Sequence, residues 1–341
     1  MKLGRRVIAS FRNSPPGTAL VALRRRWAAR RAAGDLVLIR DGPQPRRSDI
    51  VCIAAVRNEI LRLPDFFRHY RRLGVDRFIF IDNGSTDGSR EFLLDQPGVE
   101  LHATNAAFGR AHGSATWRQA LLRRRASGCW GLSVDVDEHL VYDGCERHGL
   151  ADLAGRLERA GRASLPAMML DMYPDGPLDE AVPAPDRSLV EICPLFDGEG
   201  YMSPADRPLY VGPRIRWFIG GPRRRLFAGN GQSAGGEAGK TPFARWDLDT
   251  TLLSPHALHP SRLNLGTPTG VLLHFKLMAD LLGRTETAVR EGQYFGNSIA
   301  YRRMLPSLRE APRLSAVWEG SRRYESSRSL VQAGYMTPID W

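Results

Sequence analysis

Two aspartates that follow a short apolar run are the residues of this chain best suited to chemistry. Residues 130–134 are mostly apolar and lead directly into Asp135, Asp137 and Glu138. An apolar run bounded by polar residues predicts a buried strand of a parallel sheet. Because side chains i and i+2 of a strand share a face, Asp135 and Asp137 can point the same way.

Two carboxylates at the carboxyl end of a strand can hold a divalent metal ion. In open α/β sheets, ligands bind in the crevice outside the carboxyl ends of the strands. Carboxylate oxygens there supply part of the shell that Mg²⁺ or Mn²⁺ requires, and waters and substrate phosphates complete it. A solvated turn after a strand contains the same residue types, so this interpretation needs support from the rest of the chain.

The composition is that of a globular protein with an excess of arginine. The 341 residues are 43% hydrophobic and 25% charged, with a formal net charge of +11. This balance favours anionic partners such as nucleotide phosphates or anionic lipid, although an arginine-rich proteome produces the same balance. No run is long enough to span a membrane and the first residues lack a signal-peptide pattern, so we expect a cytoplasmic location.

The cysteines show no spacing typical of a zinc site or a disulfide framework, and they suit a reducing compartment. They are Cys52, Cys129, Cys145 and Cys193.

Residues 1–48 are predicted to be a basic extension ahead of the main domain. Residues 17–33 predict a helix, with Leu20, Leu23 and Trp27 at helical spacing among five arginines. A basic amphipathic helix can make peripheral contact with an anionic membrane, here the inner face of the plasma membrane. Packing against the main domain is the alternative, and it is the one we rank first.

Residues 49–150 alternate strand and helix in the manner of a parallel α/β sheet. Apolar runs at 50–56 and 78–81 and a short predicted strand at 99–102 precede the acidic strand, and helical patterns separate these segments. The order β-α-β-α-β-α-β predicts a mostly parallel central sheet with flanking helices and right-handed crossovers.

Residues 151–320 are predicted to form a less regular second half of the same domain. A helix at about 150–161 and a strand at 167–170 precede a loop that contains Asp171 and Asp175. Residues 175–250 are rich in proline and glycine and predict long loops with short strands, where a substrate pocket is often elaborated. One more apolar run at 271–275, two or three helices to about residue 311, and a tail at 321–341 follow.

Three motifs in order resemble the nucleotide-sugar-binding half of a family 2 glycosyltransferase of the GT-A fold. They are Arg57-Asn58-Glu59, the D-N-G-S-T-D-G segment at 82–88, and the D-V-D-E segment at 135–138. Further segments resemble the bacterial glycosyltransferase family 2-like subgroup: Leu63-Pro64-Asp65-Phe66, Leu170-Asp171-Met172-Tyr173-Pro174, Gly220-Gly221-Pro222-Arg223 and His274-Phe275-Lys276. The resemblance covers roughly residues 50–320 and leaves the extension out.

The resemblance implies a GT-A fold, with a Rossmann-like nucleotide-binding half, acceptor-side loops and C-terminal helices. It implies a hexosyltransferase or related enzyme that moves a sugar from a nucleoside-diphosphate sugar to the hydroxyl of a glycan or lipid-linked glycan. The reaction is expected to be inverting and assisted by Mn²⁺ or Mg²⁺. Polysaccharide or glycolipid assembly in bacteria is the usual setting of such enzymes.

The resemblance also implies site residues. Those expected to line the nucleotide-sugar site are Val56, Arg57, Asn58, Glu59, Asp82, Asn83, Asp135 and Arg223. Those expected to bind the metal are Asp135, Asp137 and His274. A core histidine and a solvated basic face remain the alternatives for His274 and Arg223.

An inverting transferase needs a general base for the acceptor hydroxyl, and a carboxylate well after the D-x-D motif usually supplies it in this family. Asp171 and Asp175 fit by position, while Asp171 can instead brace its loop.

Two other functions remain open. A nucleotidyltransferase would carry a glycine-rich, basic loop where this chain has Arg57-Asn58-Glu59. A non-catalytic protein that binds nucleotide sugars or anions would not need both Asp135 and Asp137. No nucleic-acid-binding signature is present, so no such partner is expected.

Overall fold

One large mixed sheet organises the computed structural model, which describes residues 15–201, 207–208, 214–215, 218–228 and 239–341. Eleven of the described strands belong to this sheet. In chain order the strands are β1 (Val37–Arg40), β2 (Ile50–Val56), β3 (Arg77–Asp82), β4 (Val99–Ala103), β5 (Trp130–Ser133), β6 (Glu138–Val141), β7 (Ser164–Tyr173), β8 (Leu195–Asp197), β9 (Arg207–Pro208), β10 (Arg214–Ile215), β11 (Gly239–Arg245), β12 (Thr251–Ser254), β13 (Ala257–His259), β14 (Gly270–His274) and β15 (Ser321–Arg323).

Helices lie between most of these strands and cover the sheet. The α-helices are α1 (Pro15–Ala32), α2 (Leu63–Arg72), α3 (Ser89–Leu94), α4 (Ala115–Arg125), α5 (Leu150–Arg159), α6 (Leu189–Ile192), α7 (Pro222–Phe227), α8 (Leu281–Glu291), α9 (Phe295–Glu310) and α10 (Ser327–Gln332). Short 3₁₀ turns occur at Ala33–Asp35, Phe108–Ala111, Leu178–Glu180 and Ser261–Asn264.

The predicted parallel sheet of the first half is confirmed by four adjacent strands. β4, β3, β2 and β5 lie side by side in that order, and every pair among these neighbours is parallel. The chain moves outward from β2 to β3 and β4, then returns to place β5 on the other side of β2. This reversal is a topological switch point, and α/β sheets bind ligands in the crevice at such a point.

The central strands are buried on both faces, which explains why their sequences are nearly continuous apolar runs. On β2, Cys52 and Ala54 pack into the cluster that contains helix α2, while Val51 and Ile53 pack into the opposite cluster with helix α4. The alternation follows from the two-residue period of a strand. The sheet is therefore a rigid layer whose strand ends hold fixed positions.

Strands from the second half extend the same sheet. β11 lies antiparallel between β5 and β7, and β14 pairs in parallel with β7 and antiparallel with β6. β7 is longer than predicted, because it continues through Asp171 to Tyr173. The predicted loop position of Asp171 is therefore wrong, and the residue is a buried member of a strand.

The N-terminal helix was predicted within one or two residues of its ends. Helix α1 contacts helix α4 and strand β12, as the packing alternative requires. The C-terminal residues also join the domain, since β15 pairs with β8 and Leu330 and Ile339 are buried in the main core. None of the helices in the described part of the chain is long and apolar enough to cross a membrane.

The core position of β14 generates a stability prediction. Leu272→Ala removes a fully buried side chain from the sheet and should lower the free energy of unfolding by about 2–5 kcal/mol. The matched control is Leu248→Ala, because Leu248 is largely exposed; it should change stability by less than about 0.5 kcal/mol. Urea denaturation of both variants measures the difference, and equal losses would contradict the described core.

Candidate active site at the strand ends

Sheet register brings three ionisable residues from distant parts of the chain into one row. His274, the last residue of β14, pairs with Glu138 on β6 and with Asp171 on β7. The backbone N–H of Phe275 donates to the carbonyl of Asp137 at 2.8 Å, which fixes the turn after β5 against the end of β14. The positions of these side chains therefore depend on strand pairing rather than on flexible loops.

A buried chain of alternating charges runs through His274. Its Nδ1 lies 2.6 Å from Asp171 Oδ1, its Nε2 lies 3.4 Å from Asp137 Oδ2, and Arg223 Nε donates to Asp171 Oδ2 at 2.7 Å. We call Asp137, His274, Asp171 and Arg223 the Asp137 network.

The charges of this network shift each other's protonation. Burial lowers the pKa of His274, but the charges of Asp137 and Asp171 outweigh it and raise that pKa above its ordinary value. Burial raises the pKa of Asp171, yet Arg223 and His274 hold it well below the usual range. The pKa of Asp137 is likewise held low, mainly by His274 against the effect of burial. Both aspartates are therefore carboxylates at neutral pH.

Part of the predicted metal shell fits this arrangement. Asp137 Oδ2 and His274 Nε2 face each other, and Asp171 holds the other ring nitrogen, as a carboxylate does behind many metal-binding histidines. Among the described residues, however, no group of three or more His, Cys, Asp or Glu side chains could hold a metal ion. The described contacts connect two of the three predicted ligands, Asp137 and His274, and Mg²⁺ is commonly bound by one or two carboxylates plus phosphates.

Asp135 does not join that pair, because two cations already neutralise it. Arg118 from helix α4 donates to Asp135 Oδ1, and Lys240 Nζ from strand β11 lies 3.2 Å from Asp135 Oδ2. Lys240 also contacts both oxygens of Glu138, at 2.8 and 2.6 Å. We call Arg118, Asp135, Lys240 and Glu138 the Asp135 network. The Asp135 side chain is 43% exposed, so it still presents a carboxylate edge to a ligand.

A third set of ion pairs closes the site beneath the loop after β2. Arg284 donates to both oxygens of Glu59 at 2.8 and 2.6 Å, and Arg62 donates to both oxygens of Asp280 at 2.7 Å. Burial raises the pKa of Glu59 against the charges of Arg284 and Arg62. Glu59 therefore acts as an anchor for Arg284.

One cation of the site has no carboxylate partner among the described residues. Lys276 Nζ donates to Tyr301 Oη at 2.8 Å and lies 4.3 Å from the centre of that ring. Burial and then the charge of Arg223 lower the pKa of Lys276 to about 8, against the opposing effect of Asp137. An anion bound beside Asp137 would meet this ammonium.

Asp82 and Asn83, predicted to contact the nucleotide, brace the loops around the switch point. Asp82 is fully buried and accepts from the backbone N–H of Ser85 at 3.0 Å and from Arg90 Nε at 2.7 Å. The Asn83 amide donates to the carbonyls of Thr104 and Ala106. These contacts involve both oxygens of Asp82 and the amide nitrogen of Asn83; a role in nucleotide binding stays a prediction.

Other predicted residues lie at the edge of the site. Val56 is buried and its carbonyl accepts from the backbone of Asn83. Arg57 pairs with Glu291 at the surface. Asn58 adopts a φ of 57°, and its side chain accepts from the backbone of Thr86.

Among the described residues, Asp175 forms a salt bridge with Arg323 and none with the Asp137 network. Its side chain is mostly exposed and pairs with Arg323 at 3.0 Å. Asp171 is better connected to the site than Asp175, but both of its oxygens are occupied by His274 and Arg223.

Sequence reasoning missed Arg118, Lys240 and Arg284, and it placed Lys276 in a motif without giving it a role. Arg118 and Arg284 are hidden among the many arginines, and Lys240 stands in the region predicted to be loops. A signal was nevertheless present: the chain has only three lysines, Lys2, Lys240 and Lys276. The two beyond the N-terminus both lie in this site, where a compact ammonium is needed.

Two cavities lie on the elements that border the site, and none of the site's acids lines either one. One, of about 200 Å³, is lined by Lys240, Met168 and Phe218 among others. The other, of about 370 Å³, is lined by Asp197, Arg225 and Trp318 among others.

No family model matches this chain, and no curated protein does. Among solved structures, the chain is similar to a mannosyltransferase from Pyrobaculum calidifontis in complex with GDP-Man and Mn²⁺, at 16% identity over 50% of this chain and 47% of that one, with a TM-score of 0.26. It is also similar to 4-diphosphocytidyl-2C-methyl-D-erythritol synthase from Anaerococcus prevotii DSM 20548, at 10% identity over 42% of this chain and 68% of that one, with a TM-score of 0.23.

The chain spans about half the length of the mannosyltransferase. These TM-scores are too low to support a conclusion about family, so membership of family 2 stays a prediction from the motifs.

The Asp135 network generates a prediction about stability. Lys240→Met leaves the buried carboxylate of Glu138 without its cation and should cost about 3–5 kcal/mol of unfolding free energy. The double variant Lys240→Met/Glu138→Gln should recover most of this loss, since it removes the unpaired charge. Chemical denaturation of wild type, single and double variants measures both effects.

The stability loss of Lys240→Met should depend on pH, in a direction set by the pKa of Glu138. Burial raises the pKa of Glu138 while Lys240 lowers it, so loss of the lysine raises the folded-state pKa further above the unfolded value. The protonated carboxyl is then favoured in the folded state, and stability is lost as pH rises through that pKa. The deficit of Lys240→Met should be smaller at about pH 5 than at about pH 8. A deficit independent of pH would contradict the pairing.

Proposed function

We propose that this protein is a GT-A-type glycosyltransferase that moves a sugar from a nucleoside-diphosphate sugar to an acceptor hydroxyl. The observation that carries the proposal is the convergence of Asp137, His274 and Asp171 at strand ends beside the switch point between β2 and β5. That is the place where an α/β sheet binds a nucleotide ligand. The acidic cluster is bordered by Lys276, Arg223 and Arg284, which supply positive charge for a diphosphate.

In this proposal Asp137 and His274 hold the divalent metal, Mn²⁺ or Mg²⁺. When bound, such an ion neutralises charge that develops on the leaving nucleoside diphosphate. His274 suits the role because Asp171 fixes its ring and directs Nε2 toward Asp137. Asp135, with its exposed carboxylate edge, is assigned to hydroxyl groups of the donor rather than to the metal.

The cations of the site are assigned to the diphosphate. Lys276 has no carboxylate partner among the described residues, and Arg223 uses only its Nε for Asp171 among the described contacts. A guanidinium and an ammonium that border the same site can bind adjacent phosphate oxygens. Their charge would favour binding of the donor and hold the leaving group in place.

Asp171 is assigned to positioning rather than to proton abstraction. A general base must have a free oxygen within reach of the acceptor hydroxyl and must accept a proton readily. Asp171 is buried, both of its oxygens contact cations, and its pKa is held below the usual range by Arg223 and His274 against burial. Its contacts suit a carboxylate that orients the metal-binding histidine.

A thermal-shift screen of UDP-, GDP-, CMP- and dTDP-sugars with and without Mn²⁺ tests the proposal. A ligand that binds the native state raises the apparent stability by mass action. A stabilising UDP-, GDP- or dTDP-sugar should then be turned over with release of the nucleoside diphosphate when an acceptor is supplied, whereas turnover of a CMP-sugar would release CMP and contradict the proposed donor class. Release of pyrophosphate from a nucleoside triphosphate would indicate a nucleotidyltransferase, and no stabilisation by any donor would count against both.

Asp137→Asn should abolish the Mn²⁺-dependent part of donor binding. The change is nearly isosteric but removes the charge that faces His274, so the fold should remain. Turnover should fall on the order of 100-fold or more, because a bound metal supplies several kcal/mol of charge stabilisation. The control is Asp186→Asn, an exposed aspartate far along the chain from the motifs, and it should behave as wild type. Unaltered turnover of Asp137→Asn in Mn²⁺ would refute the assignment.

Asp171→Asn separates positioning from base catalysis. In the positioning role the variant should bind Mn²⁺ about 10- to 100-fold more weakly, the usual effect of removing a carboxylate behind a metal-binding histidine. Saturating Mn²⁺ should restore much of kcat. A general base would behave differently: kcat would fall by about 10²- to 10⁴-fold with metal and donor affinity unchanged. Calorimetric Mn²⁺ titration together with steady-state kinetics distinguishes the two.

A further inference from the structure

Helix α1 turns its large apolar side chains away from the domain. Ala22 and Ala29 are 3% and 1% exposed and face helix α4 and strand β12, whereas Leu23 and Trp27 are 63% and 59% exposed. Leu20 is on the same outward side. A surface helix normally buries its largest apolar residues and leaves small or polar ones to solvent, so this helix is reversed.

The orientation of α1 is fixed by polar contacts on its inner face. Arg26 Nε donates to Thr251 Oγ1 at 2.7 Å, and Arg26 Nη2 donates to the carbonyl of Asp249 at 2.8 Å. These bonds join the helix to strand β12 and the loop before it. Rotating the helix to bury Trp27 would break them, so the outward apolar face is a property of the folded domain.

Exposed apolar residues are also frequent in strand β1, the strand that follows α1 in the sequence. Six of the fifteen large hydrophobic side chains that are exposed in the described part of the chain lie between residues 20 and 39. They are Leu20, Leu23, Trp27, Val37, Leu38 and Ile39. Leu248, also exposed, is adjacent in sequence to Asp249, which contacts Arg26. Such a concentration of apolar surface marks an interaction site.

The charge around this surface is positive. Residues 15–32 contain five arginines and no acid, and Arg24, Arg30 and Arg31 are exposed. Arg31 lies over the ring of Trp27, with its guanidinium carbon 4.7 Å from the ring centre. The pKa of Arg123 on helix α4 is lowered by burial and then by the charges of Arg26 and Arg30, so positive charge also lies beneath the helix.

We propose that the outward face of α1, with Leu20, Leu23 and Trp27 beside Arg24, Arg30 and Arg31, docks the protein on an anionic lipid bilayer. Apolar side chains enter the boundary between headgroups and acyl chains, and arginines contact the lipid phosphates, as in interfacial helices. The absence of any acid on the helix favours lipid over a typical protein partner, whose interface mixes both signs of charge. The docking is independent of the proposed reaction.

Sedimentation of the full chain with vesicles tests the proposal. The protein should sediment with mixed phosphatidylglycerol–phosphatidylcholine vesicles and not with pure phosphatidylcholine, and raising the salt should weaken binding. Arg24→Gln/Arg30→Gln/Arg31→Gln should weaken it by about 100-fold, as expected for three basic residues near an anionic surface. Leu23→Ser/Trp27→Ser should weaken it by at least about tenfold through lost apolar burial.

Matched controls keep the outcome interpretable. Val182→Ser/Val317→Ser removes two exposed apolar side chains elsewhere on the surface and should bind vesicles as wild type does. Unchanged melting temperatures would show that each variant folds. Equal binding of wild type and the α1 variants, or binding to neutral vesicles that is insensitive to salt, would overturn the proposal. So would light scattering that detects a dimer lost in Leu23→Ser/Trp27→Ser when no vesicles are bound.

Discussion

The pairing of buried charges is the constraint on which the candidate site depends. Asp137, Asp171 and Glu138 are all buried, and an unpaired charge there would cost several kcal/mol. Each acid is therefore matched by a cation from another element: His274 from β14, Arg223 from α7 and Lys240 from β11. The mixed sheet is the scaffold that brings these elements together. The same ion pairs therefore contribute to the stability of the sheet and to the geometry of the site.

The first half of the fold could be predicted from the sequence because its information is local. β2, β3 and β5 are mostly apolar runs, helix α2 shows an apolar face, and the alternation of strand and helix implies parallel pairing. The second half could not be predicted in the same way. β11 reaches its place between β5 and β7 only through long-range antiparallel pairing, and its sequence Gly-Lys-Thr-Pro resembles a loop. The local hydrophobic pattern of β11 does not indicate which strands lie beside it.

The candidate site was predictable to a similar extent. The residue types and spacing of Asp135 and Asp137 marked the correct strand end, and the motif at 274–276 marked a second. What the sequence could not reveal is which acid keeps an exposed oxygen and which is neutralised, since Arg118 and Lys240 are 17 and 105 residues away from Asp135. Asp171 shows the same limit: one apolar run cannot say whether its strand ends before or after the acid that follows.

Lys240 and Lys276 stand at positions where the shape of the cationic group matters, in a chain that otherwise uses arginine almost everywhere. In a chain with 48 basic residues, arginine is the ordinary cation, yet Lys240 is retained between Asp135 and Glu138. An ammonium has three donors that radiate from one nitrogen, and Lys240 makes three contacts at 2.6, 2.8 and 3.2 Å to oxygens of two converging carboxylates. A planar guanidinium spreads its donors along a fork and needs more space, so it cannot satisfy both acids from that point. The same argument applies to Lys276, whose compact head lies over the ring of Tyr301 beside the space assigned to a diphosphate. A lysine in a chain whose cations are nearly all arginines therefore indicates a position where the geometry of the cationic group matters more than its charge.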